Sequence, residues 1–151
     1  MESIVAASAD LARGEVEARV ALAALPERVF RALTSAEICD WWVRPGVFDT
    51  RTWTGDVRVG GLWETTGIGQ TGPYRMAGAF IAIEAPRRLA HTWTVVGAPG
   101  GVSTVTYDLE PAGQGTRLTL HHAGLNVAPI CEATWKGWET SLARLAELMR
   151  S

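Results

Sequence analysis

The chain has 151 residues, of which 47% are hydrophobic and 20% charged, with a formal net charge of −2. A chain of this length suits one domain that buries roughly 68–70% of its unfolded surface. The near-neutral balance excludes a global basic field for nucleic acid or an anionic membrane.

Residues 1–14 are rich in Ala and Ser and read as a loose arm or an edge strand, ahead of one domain over 15–151. Glu2 and Asp10 interrupt this segment and Arg13 comes too late, so no signal peptide is expected. No run approaches ~18 apolar residues, so no membrane-spanning helix is expected either. Val16 to Leu22 alternates apolar and charged residues, as a half-buried strand does. Pro26 suits the first turn of a short helix whose apolar side is Val29, Phe30 and Leu33. Ser35 is a candidate N-cap for a second short helix ending at Trp41-Trp42, before Arg44-Pro45-Gly46 breaks it.

Strands are then expected at Thr50–Thr54, Leu62–Thr66, Tyr74–Glu84, Leu89–Val95, Ser103–Glu110 and Thr116–His122. Gly67–Pro73 reads as a hairpin loop and Gly97–Gly101 as a second glycine-rich loop. Val105, Tyr107 and Leu109 share one strand face; Leu118, Leu120 and His122 share another. Finally, apolar residues at 131, 135, 138, 142, 145 and 149 mark one face of a long helix. Strands joined by short loops pair antiparallel, and an apolar sheet face must be covered. The C-terminal helix is the element long enough to cover it. The expected architecture is α+β, a curved antiparallel sheet wrapped around that helix.

Several segments now fall into a familiar order. They are Pro26-Glu-Arg-Val-Phe-Arg-Ala-Leu33, Trp41-Trp42, and Asp56-Val-Arg-Val-Gly-Gly-Leu-Trp63. Pro86-Arg-Arg-Leu89 with Thr92-Trp93, Gly115-Thr-Arg-Leu-Thr-Leu-His-His122, and Gly137-Trp138 follow. From about Val16 to Met149 the chain resembles the bacterial homologues of the activator of the heat-shock-protein-90 ATPase, in the START-like (SRPBCC) superfamily. The family often has proline where this chain has Ala36 and Ala85, a difference in turn stiffness. The resemblance implies a helix-grip fold: seven antiparallel strands curled around the C-terminal helix, with two short helices after strand one. It also implies a hydrophobic cavity between sheet and helix. It carries no reaction, and its name suggests a chaperone as partner.

Three side chains are candidates for acid–base chemistry. Adjacent strand residues face opposite ways, so His121 and His122 cannot share a site. His122 is expected inward with Leu118 and Leu120, as a general base, a polar anchor or a hydrogen-bonded core histidine. His91 shares parity with Leu89 and Trp93 and is also expected inward. Glu64 is expected outward, because Trp63 is the better inward residue; were it inward, it would be a buried acid. Three histidines without accompanying Cys or carboxylates make no metal site. The glycines at 67, 69 and 72 lie in a hairpin and match only part of the dinucleotide fingerprint, so no cofactor is expected. Cys39 and Cys131 have no metal-type spacing and read as free thiols in a reducing cytoplasm.

The aromatics suit either a filled core or a pocket. The leading expectation is binding of a small apolar or aromatic ligand between sheet and helix. Trp42, Trp63, Phe80, His91, Trp93, Tyr107, His122, Trp135, Trp138 and Leu142 would line the site. A cyclase- or hydrolase-type enzyme in the same pocket, and a chaperone-binding module, are the alternatives. A homodimer is compatible with base rates.

Overall fold

The computed structural model describes residues 5–150. In chain order the strands are β1 (Ala6–Asp10), β2 (Glu15–Leu22), β3 (Val43–Arg44), β4 (Phe48–Gly55) and β5 (Leu62–Gly69). They continue as β6 (Gly72–Glu84), β7 (Arg88–Val95), β8 (Ser103–Ala112) and β9 (Gly115–Ala123). The helices are α1 (Pro26–Leu33), α2 (Ile38–Trp41) and α3 (Ala128–Met149). One antiparallel sheet runs β1-β2-β9-β8-β7-β6-β5-β4-β3. The seven inner strands are the expected helix grip. The two that raise the count to nine are the edges, five-residue β1 and two-residue β3. The edge-strand reading of the N-terminal segment thus holds for Ala6–Asp10, which pairs with β2 in place of a loose arm.

Alternation places the faces as the sequence implies. In β2, Val16, Ala18, Val20 and Leu22 are buried and the residues between them are not. In β9 the buried set is Thr116, Leu118, Leu120 and His122. These two strands, a hundred residues apart in the chain, pair in register from Val16↔His122 to Leu22↔Thr116. Their shared inner face lies under α3, which packs against β1, β2, β3 and α2.

Parity fails at two places, each with a local cause. The β4–β5 register shifts between Thr50 and Thr52, so Arg51 is an extra residue. Thr50 is therefore buried while Thr52 is exposed. The β6–β7 register shifts between Phe80 and Ala82, with Ile81 outside, so Ile83 packs against the core although its parity opposes that of Phe80. The expected loop over Gly67–Pro73 is shorter than its glycine content suggests. Pairing continues to Gly69↔Gly72, leaving a two-residue turn, Gln70-Thr71, with Gly72 at φ +120°.

The helices before β3 are tied together before they reach the sheet. Arg28 grips Glu37 with two hydrogen bonds of 3.0 and 2.7 Å. Trp41 donates its indole N–H to the Ala32 carbonyl at 3.0 Å. Ser35 accepts from the Glu37 N–H at 3.3 Å, one residue before α2 begins at Ile38. Arg144 on α3 donates to the Asp40 carbonyl at 3.2 Å. These links hold the α2 terminus, and hence Trp42, against α3.

A tryptophan-lined cavity between sheet and helix

Between the sheet and the N-terminal half of α3 lies a cavity of about 420 Å³. Its interior is made by Trp42, Thr50, Met76, Ser103, Trp138 and Ser141, all buried, with Tyr74 and Trp93 beside them. The rim is made by Val47 and Phe48, by Gly100 and Gly101 of the second glycine-rich loop, and by Asn126, Val127, Pro129 and Ile130 around the start of α3. No Asp, Glu, Lys, Arg or His lines it among the described residues.

Trp42 is the hub of the indole cluster. Its ring centroid lies 5.1 Å from Trp93, 5.8 Å from Trp63, 5.9 Å from Trp41 and 6.2 Å from Trp138. These are the separations of tilted and edge-on aromatic pairs. Two polar devices hold its surroundings. Thr50 donates to the Trp42 carbonyl at 2.7 Å and therefore accepts from the Tyr74 hydroxyl at 3.0 Å. Burial raises the Tyr74 pKa, so the phenol stays protonated and can donate. Gly67 makes room for this, because a Cβ there would overlap the Tyr74 ring and hydroxyl.

His122 sits at the base of the site, fully buried. The Trp138 indole N–H donates to its Nδ1 at 3.0 Å. An indole nitrogen only donates, so Nδ1 is the unprotonated nitrogen and Nε2 carries the hydrogen. Nε2 lies 2.7 Å from Ser103 Oγ, which it therefore supplies with a hydrogen bond. The Ser103 hydroxyl in turn donates to the Trp93 carbonyl at 3.3 Å. Burial lowers the His122 pKa to about 3, with His91 and His121 adding to the effect. A neutral histidine whose Nε2–H points at the serine cannot accept the serine's proton. Ser103 and His122 thus form a fixed hydrogen-bond relay rather than a nucleophile and its base.

His91 lies behind the cavity wall, among the rings of Trp63, Trp93, Phe80 and Tyr107. Its Nδ1 is 2.9 Å from the Thr92 carbonyl, and burial lowers its pKa to about 4. That same carbonyl accepts the Trp63 indole N–H at 3.1 Å. Gly78 permits this, since a Cβ there would collide with both the Thr92 oxygen and Trp63 Nε1. Burial also raises the Tyr107 pKa strongly.

Of the ten residues expected to line a pocket, Trp42, Trp93 and Trp138 border the cavity. His122 reaches it through Ser103, while Trp63, Phe80, His91, Tyr107 and Leu142 pack in the core behind it. Trp135 is elsewhere: half-buried, with Lys136 Nζ 4.3 Å from its ring centre. One turn earlier, Cys131 Sγ lies 3.8 Å from the Glu15 carbonyl, so this side of α3 turns toward β2. The helix therefore presents two adjacent stripes. Cys131, Trp135 and Leu142 follow one, and Ile130, Thr134, Gly137 and Ser141 line the cavity on the other. Trp138 serves both.

Glu64 stands on the outer face, half-exposed, 3.8 Å from Arg75. His121 is likewise outward, 3.1 Å from Glu15. Neither meets the cavity. No group of three or more His, Cys, Asp or Glu could hold a metal among the described residues. No helix among them is long and apolar enough to cross a membrane. Sequence reasoning missed Phe48, Thr50, Met76, Ser103 and Ser141. Ser103 and Met76 carried a usable signal, sharing parity with Val105 and Tyr74 respectively.

Solved structures show the same fold. Protein CV1439 from Chromobacterium violaceum is 25% identical, with a TM-score of 0.81 over 91% of this chain and 98% of that one. CalU16 from Micromonospora echinospora is 24% identical, with a TM-score of 0.67 over 99% and 87%. The AHSA1 protein from Silicibacter pomeroyi is 23% identical, with a TM-score of 0.74 over 90% and 97%. No curated protein matches the chain. The family model described as Activator of Hsp90 ATPase homolog 1-like protein matches residues 23–150, and the chain belongs to that family.

Proposed function

We propose that the chain binds one small, uncharged, largely apolar molecule in the cavity between the sheet and α3. The observation that carries this reading is the lining: three indoles, Phe48 and Met76 around about 420 Å³, without a charged side chain among the described residues. Small-molecule sites typically enclose about 300–1,000 Å³, mostly apolar with a few polar groups. Here the polar side chains are the hydroxyls of Thr50, Tyr74, Ser103, Thr134 and Ser141, with the Asn126 carboxamide at the rim. The His122 relay supports binding over catalysis, because it holds Ser103 in place without activating it.

The test is a titration with apolar probes from naphthalene to sterol size. Bound probe should perturb tryptophan emission and raise the melting temperature, because a ligand of the folded state stabilises it by about 2.7 kcal/mol at a hundred times its Kd. A panel that moves neither readout overturns the proposal.

A further inference from the structure

The hydroxyls of the cavity are not equivalent. Thr50 donates to the Trp42 carbonyl, Tyr74 to Thr50, Thr134 to the Ile130 carbonyl, and Ser103 to the Trp93 carbonyl. Their donor hydrogens are already committed. Ser141 differs. It is 3% exposed, lines the cavity, and has no hydrogen-bond partner among the described residues. Helical Ser and Thr commonly return their hydroxyl to the carbonyl four residues back. Thr134 and Thr140 on the same helix do so, at 2.7 and 3.3 Å. Its hydroxyl is therefore uncommitted within the protein, and a molecule in the cavity can supply its partner.

We infer that the cavity selects molecules carrying a hydrogen-bond acceptor, a carbonyl or ether oxygen, and that the Ser141 hydroxyl donates to it. This rests on the binding reading above and deepens it. The lack of a charged lining side chain sets the acceptor's chemistry. A carboxylate or phosphate would lose its water without gaining a counter-ion, whereas a neutral oxygen asks only for a donor. Ser141 lies one turn beyond Trp138, whose ring borders the same cavity, so an aromatic ketone could rest on the indole with its oxygen toward the hydroxyl.

The experiment compares benzophenone with diphenylmethane, which share two phenyl rings and differ at the bridging carbonyl. Kd values are measured by NMR titration on the wild-type chain and on Ser141→Ala. Wild type should bind the ketone roughly tenfold more tightly than the hydrocarbon, the worth of one good neutral hydrogen bond. Ser141→Ala should erase that preference, bringing the ratio of the two Kd values to about one. Equal affinities in the wild type, or a ketone preference that survives Ser141→Ala, overturn the inference while leaving the binding reading intact. If neither probe binds, the binding reading fails with it. Ser141→Thr, which restores a hydroxyl, should recover the preference.

Discussion

The indole N–H of Trp138 donates to Nδ1 of His122 across 3.0 Å, and this one bond decides which nitrogen of the histidine carries the hydrogen. It joins α3 to β9 and, through Nε2 and Ser103, reaches the Trp93 carbonyl on β7. Trp138→Phe keeps an aromatic ring but leaves a buried acceptor unpaired. Loss of about 1–3 kcal/mol of unfolding free energy is expected in urea titrations. In the wild type, ¹⁵N spectra at neutral pH should show His122 neutral and protonated on Nε2. Protonation on Nδ1 would contradict the arrangement.

Stability should depend on pH through the two buried histidines. Both fall from an ordinary 6.5, His91 to about 4 and His122 to about 3. Once unfolded, each takes a proton as pH drops through about 6.5. The folded chain does not until pH reaches the lowered values. The stabilising contribution is therefore full above about 6.5 and shrinks as pH falls, by up to about 1.4 kcal/mol per unit per histidine. Urea midpoints should drop from pH 7 to pH 5. The His91→Gln/His122→Gln pair, if it folds, should flatten the slope. A wild-type midpoint independent of pH over this window would refute the burial of both imidazoles as neutral groups.

Two glycines predict opposite outcomes. A Cβ at Gly78 would strike the Thr92 carbonyl and Trp63 Nε1, both held in the sheet. Gly78→Ala should cost about 1–3 kcal/mol through overpacking and the lost indole bond. A Cβ at Gly137 would lie 3.3 Å from Phe48, a rim residue only part-buried and free to shift. Gly137→Ala in mid-helix should therefore add about 0.5–1 kcal/mol. Thermal or urea unfolding of the two variants checks the contrast.

Glu64 and its neighbour provide a test of strand parity. Glu64→Gln should shift stability by no more than about 0.5 kcal/mol and leave probe binding unchanged, as befits an exposed carboxylate. Trp63→Ala, 2% exposed, should cost about 3–5 kcal/mol. A large effect at Glu64 would place that carboxylate in a role the outer face does not allow it.

Much of this fold was legible because period-2 burial is strict where a sheet has one covered face. Trp63 in and Glu64 out, His122 in and His121 out, all follow from parity. So does the helix stripe, of which every member but Trp135 is buried. Trp135 was misplaced for a geometric reason. A helix inside a curled sheet is contacted on several sides, so one apolar stripe cannot distinguish the side that meets a wall from the side that meets a void. Arg51 and Ile81 show the limit of parity itself. A single bulged residue reverses the faces beyond it, and nothing in Thr50-Arg-Thr52 or Phe80-Ile-Ala82 announces one. The cavity lining was the least legible part. Thr50, Ser103 and Ser141 come from three elements, β4, β8 and α3, and only the folded chain brings them together.

Occupancy of the tryptophan-lined cavity has resident reporters in the seven indole N–H groups. Trp42, Trp93 and Trp138 border the cavity; Trp53 and Trp135 do not. A ¹H–¹⁵N titration of the full chain with benzophenone should move the first three signals in a saturable manner and leave the last two in place. Uniform small drifts across all indoles, or no change at saturation of the probe, would contradict the account.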